Sequence, residues 1–127
     1  MIEILTNAEK YVKTADHIAY VTYPLMKDGN LLKKIVECLQ VSVKILFEDK
    51  NILKELDTKD KESVEKMNNI FLKRKQSSME FLRKNKLVLM NDDLRLHSVN
   101  LEELKKYIQF LKRLIFKLKN KEKPISI

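Results

Sequence analysis

One cysteine, one glycine, two prolines and no tryptophan in 127 residues leave several architectures without their raw material. A β-sandwich needs a turn about every ten residues, and the turn formers are too few here. The lone Cys38 excludes an internal disulfide and a multi-cysteine zinc site. A single glycine cannot build a GxGxxG fingerprint or a phosphate-cradling loop, so nucleotide binding by those routes is excluded. No apolar run approaches the roughly 18 residues that span a bilayer. The start, MIEILTNAEK, lacks the basic-then-apolar layout of a secretory leader. The expected setting is cytoplasmic and reducing.

What the sequence does hold is charge, at 35% of residues, which suits the exposed faces of helices. The length corresponds to about one domain with one core. The net charge of +8 is unevenly placed: residues 1–63 carry 10 Lys+Arg and 11 Asp+Glu, residues 64–127 carry 16 and 7. All of the excess is C-terminal. Such asymmetry points to a polyanionic partner, nucleic acid first, with a lysine-rich solvated surface as the plainer alternative.

Periodicity places the helices. Thr6-Asn7-Ala8-Glu9 matches a capping box, so a first helix is expected from there to just before Pro24. YPLMKDGN reads as a turn in which Gly29 supplies a positive φ. A second, central helix runs from Leu31 to about Asp49, apolar over most of its circumference. Residues 50–61 read either as its extension or as a separate turn. Asp57, Thr58 or Asp60 caps a third helix, on which Val64, Met67, Ile70 and Phe71 form the apolar stripe. A second box, Ser77-Ser78-Met79-Glu80, predicts a short helix through Leu82.

LRKNKLVLMNDDLRLHS then departs from helix. Lys86–Met90 and Leu94–Val99 read as a β-hairpin turning at Asn91-Asp92-Asp93. Alternation puts Leu94, Leu96 and Ser98 on the face that needs cover, and Arg95, His97 and Val99 on the other. Asn100 caps a last helix whose buried arc is Leu101, Leu104, Tyr107, Ile108, Leu111, Leu114, Ile115 and Leu118. Residues 119–127 read as a frayed tail. The fold class is therefore mainly α: one domain, an antiparallel bundle of about four main helices with a small β-hairpin before the last.

The search for chemistry is short. His17 with Asp16 and Tyr20 is a candidate acid-base cluster, and an ordinary exposed histidine is the competing reading. His97 with Asp92, Asp93 and Ser98 can be drawn as a triad but has no elbow or oxyanion feature. Cys38 sits at an apolar position without a basic neighbour on its own face, as a core residue does. No metal ligand set and no cofactor follow from the spacing.

The basic constellation remains: Lys73, Arg74 and Lys75; Arg83, Lys84 and Lys86; Arg95; and Lys106, Arg113 and Lys117 on the last helix. If these segments merge they contact successive phosphates, with affinity that salt weakens and little base specificity, since lysine dominates. RNA is the expected partner. An acidic protein partner, or a homo-oligomer, is the alternative.

AEKYVKTADHIAYV, a turn, and IVECLQVSVKILFE, together residues 8–48, resemble the opening helical pair of HEPN-type domains, and the whole chain resembles small helical proteins of archaea. The first resemblance implies a helical bundle and, in many members, ribonuclease activity. The family's signature is an Arg, four to six residues, then His; neither His17 nor His97 has an Arg at that distance, so no catalytic residue carries over. A nuclease reading would have to rest on His17, Asp16 and Tyr20.

Overall fold

The first helix starts earlier than its capping box predicts. In the computed structural model, which describes residues 2–84 and 86–122, α1 spans Ile2–His17 and buries Leu5 with Ala8, Val12 and Ala15. The apolar stripe already includes Leu5, so Thr6 and Glu9 lie inside the helix, and Glu9 accepts a hydrogen bond from Lys119 Nζ at 2.9 Å.

Nor does the helical path end before Pro24. Ile18–Thr22 widen into a π turn, where the Tyr23 N–H donates to the carbonyl of Ile18. Pro24 then falls at the start of α2 (Tyr23–Met26), directly after the widened turn, which lets the helical path pass a residue that has no amide to donate. Lys27 closes this helix with a φ of 52°, its N–H donating to the Tyr23 carbonyl at 2.8 Å. Gly29, expected to supply the positive φ, has φ −60°. Its role is space, since a Cβ there would stand 3.0 Å from Leu82 Cδ1.

α3 (Asn30–Phe47) is the hub, touching α1, α4, α5, α6 and the middle strand. Its Ser42 is the one buried polar residue among those described, and its Oγ donates to the Ala8 carbonyl at 2.9 Å. Small Ala8, Ala15 and Ala19 lie on one apolar stripe with no exposure. The unsettled stretch after α3 resolves into α4 (Lys50–Glu55), capped by Asp49, and α5 (Thr58–Gln76), capped by Asp57. Each aspartate accepts a backbone N–H at 2.8 Å.

The short helix expected after Ser77 is instead a strand. Glu80 turns to Arg74 rather than back to a free amide, Ser77 Oγ donates to the Arg74 carbonyl at 2.8 Å, and the Ser78 N–H donates to the Met90 carbonyl at 3.0 Å. The capping box is thereby dismantled, and β1 (Met79–Arg83) joins β2 (Lys86–Met90) and β3 (Leu96–Asn100) in an antiparallel sheet of order β1-β2-β3. Middle strand β2 decides which face is covered. Leu87 and Leu89 are buried, and they pair with Val99 and His97, so those residues face the helices. Leu96 remains 61% exposed on the outer face, the reverse of the sequence expectation.

α6 (Leu101–Glu122) follows β3 without a loop; Asn100, the last strand residue, accepts the Glu103 N–H at 2.8 Å. Leu104, Ile108, Leu111, Leu114, Ile115 and Leu118 are buried as the heptad-like spacing requires, while Leu101 and Tyr107 are only partly covered. The helix runs past the expected start of the tail at residue 119; residues 123–127 lie outside those described. The chain is thus mainly helical with one small sheet, and among the described residues no helix is long and apolar enough to cross a membrane.

Candidate nucleic-acid interface

Strand pairing arranges the outer sheet face as three cross-strand rows. Met79, Met90 and Leu96 form one; Phe81, Val88 and Ser98 the next; Arg83, Lys86 and Asn100 the third. Neighbouring rows lie two residues apart along the strands, about 6.6 Å. The face therefore grades from apolar at one end to cationic at the other. None of its nine positions is acidic.

Lys84, at the β1–β2 connection with a φ of 54°, adds a third cation beside Arg83 and Lys86. These three, with Phe81, Val88, Leu96 and Ser98, line a cleft of about 350 Å³. Phe81 is half-buried and was not among the residues singled out from sequence. The alternation Met79, Phe81, Arg83 carried the signal, but the helical capping pattern at Ser77–Glu80 concealed it.

The other basic residues are dispersed. Arg74 is occupied: its Nε donates to Glu80, its Nη2 donates to Glu37 at 3.1 Å, and its side chain is only 17% exposed. The Glu80 carboxyl is held below the usual range by that hydrogen bond, and Arg74 is raised in turn. Lys33 joins the group at 3.8 Å from Glu80. Arg74 thus ties α5 to β1 and α3, while Lys73 and Lys75 beside it are exposed. Arg95 pairs with Asp93 at 3.2 Å on the β2–β3 turn, at the opposite end of the sheet from Arg83, Lys84 and Lys86. Lys117 stands 3.5 Å from both Asp57 and Asp60.

Lys106 and Arg113 line a second recess of about 790 Å³ with Lys66, Lys105, Tyr20 and Phe110, and Glu102 and Glu103 line it too, Glu102 standing 3.7 Å from Lys105 Nζ. Lys105 lies 4.9 Å from the centre of the Tyr20 ring, a cation–π contact. Register connects the two basic regions at one point: Lys86 is paired with Asn100, the cap of α6. Glu102 and Glu103 lie directly beyond it, so the basic segments do not form one unbroken strip.

The candidate catalytic groups are differently employed. Asp16 accepts from Lys112 Nζ at 2.8 Å, and the Tyr20 hydroxyl accepts from Gln109 Nε2 at 3.3 Å, so both fasten the first helical segment to α6. Strand alternation puts Ser98 and His97 on opposite faces and Asp93 is engaged by Arg95, so the drawn triad is not assembled. Burial, then the neighbouring Glu37 carboxylate, push the Cys38 thiol up, which disfavours a thiolate.

His97 Nε2 and Glu103 Oε2 are buried without a hydrogen-bond partner among the described residues. Burial, with Lys73 nearby, lowers the His97 pKa, while Glu103 opposes that shift. Among the described residues no cluster of three or more His, Cys, Asp or Glu is positioned to hold a metal ion. Comparison with family models, curated proteins and solved structures found no match.

Proposed function

We propose that this protein is a non-enzymatic binding module that contacts RNA phosphates, with low sequence specificity, through its C-terminal basic surface. One observation carries the reading. Arg83, Lys84 and Lys86 are gathered at one end of a sheet face that has no carboxylate, and among the described residues none of the three makes an ion pair. Cations left without acidic partners have phosphate as their natural counter-charge. Lys106 and Arg113, with Lys66, form a second basic group on α5 and α6, separated from the first by Glu102 and Glu103. In this reading the helices are an antiparallel, HEPN-like bundle that serves as scaffold, and the setting is cytoplasmic.

The apolar row of Met79, Met90 and Leu96 favours a second reading, a protein-interaction module whose partner is acidic or is another copy of the chain. Fluorescence anisotropy separates the two. Labelled single-stranded RNA, duplex RNA and DNA are titrated across a salt series with wild type and the R83E/K84E/K86E variant. RNA binding predicts log affinity falling linearly with log salt, and a loss of tenfold or more with a shallower slope in the variant. No binding at low salt overturns the reading, and a stable oligomer by light scattering then supports the second.

A further inference from the structure

We infer that the outer face of the sheet is a stacking platform for single-stranded nucleic acid, on which a base lies against Phe81 while its flanking phosphates meet Arg83, Lys84 and Lys86. The inference rests on the phosphate-binding reading and names the form of the ligand. Phe81 occupies the row next to the cationic one, about 6.6 Å from it along the strands, so one nucleotide can engage both at once. Val88, itself only 7% exposed, and Ser98 continue the row of Phe81 across the sheet, so no charged side chain interrupts that row. Every base offers a π face to such a ring, which makes the contact indifferent to sequence. A duplex offers none, because its bases are already stacked.

Other occupants match the face less well. A second copy laid face to face sets cationic row against cationic row or, reversed, cationic row against apolar row, and in neither arrangement do the cations meet a carboxylate. An anionic membrane suits several apolar side chains that protrude beside the charges, whereas Phe81 is half-buried in the cleft, exposed Met79 sits at the far end from the cations, and Leu96 is the one exposed apolar side chain that lines the cleft with them. The absence of any carboxylate on the face, together with a recessed aromatic next to the cations, matches a planar base with a phosphate attached.

The test uses the full chain and four probes: single-stranded RNA, single-stranded DNA of the same sequence, the RNA paired with its complement, and a strand of equal length made of abasic sugar phosphates. Wild type should bind the single strands about tenfold more tightly than the duplex or the abasic strand. Phe81→Leu, which keeps an apolar group in place, should lose about tenfold on the single strands and nothing on the abasic strand, with an unchanged salt slope. Phe81→Tyr should retain full affinity. The RNA and DNA arms show whether the ribose hydroxyl contributes. Equal affinity for all four probes, with Phe81→Leu silent, would overturn the platform and leave the phosphate-binding reading standing. Displacement of RNA by polyglutamate of matched charge under that same equality would assign the face to an acidic peptide. Absence of binding to every probe at low salt would overturn both inferences together.

Discussion

Lys27 holds a left-handed conformation, φ 52°, that costs a side-chain-bearing residue roughly 1 kcal/mol or more. Glycine adopts it freely but loses more chain entropy on folding, so Lys27→Gly should stabilise the protein by about 0.5 kcal/mol, read from urea denaturation. From sequence the only glycine was assigned this conformation. The stop instead falls two residues earlier, because the π turn carries the helix past Pro24 before it closes. His97 offers a second residue-level prediction. Its buried neutral form is favoured in the folded protein, so below the ordinary value of 6.5 the unfolded chain takes up the proton more readily. Stability from this group is complete above about pH 6.5 and declines as pH falls toward the lower folded value. Denaturation midpoints at pH 7.5 and 5.5 should differ in wild type, and His97→Gln should narrow that difference.

At the scale of elements, β3 and α6 share a residue that serves both. Asn100 pairs with Lys86 and also caps α6, so Asn100→Ala should cost about 1 kcal/mol, measured as a fall in denaturation midpoint. This junction was legible, as were the buried arcs of α3 and α6, because apolar residues recur there at helical spacing over many turns. The β1 strand was not. Its five residues sit behind a capping-box pattern whose glutamate is claimed by Arg74, and that partner, six residues earlier on another element, leaves no local trace. The covered face of β3 was also misread, since Leu94 and Leu96 outweigh Val99 in isolation. Leu87 and Leu89 on the neighbouring strand reverse the choice.

For the whole molecule, a net charge of +8 makes salt act in two directions. Screening weakens phosphate contacts and also relieves self-repulsion of the folded state. Under the proposed phosphate-binding reading, raising NaCl from 50 to 300 mM should therefore lower RNA affinity while leaving thermal stability unchanged or slightly higher, followed by anisotropy and by circular dichroism on one sample series. The C-terminal bias of the charge was plain in the sequence, and with it the residues most open to a polyanion. Their grouping was not, because it depends on which end of the sheet each connection occupies and on acids brought in from distant helices. Glu37 and Glu80 engage Arg74, Asp57 and Asp60 engage Lys117, while Arg83, Lys84 and Lys86 are left at the opposite sheet end from Arg95.

The direct passage from β3 into α6 has a mechanical consequence. A sheet joined to a 22-residue helix through a capped residue, with no intervening loop, lacks a hinge at that point. The basic end of the sheet and the base of α6 are therefore set in their relative placement when the chain folds. A ligand of the kind proposed would meet this junction already ordered.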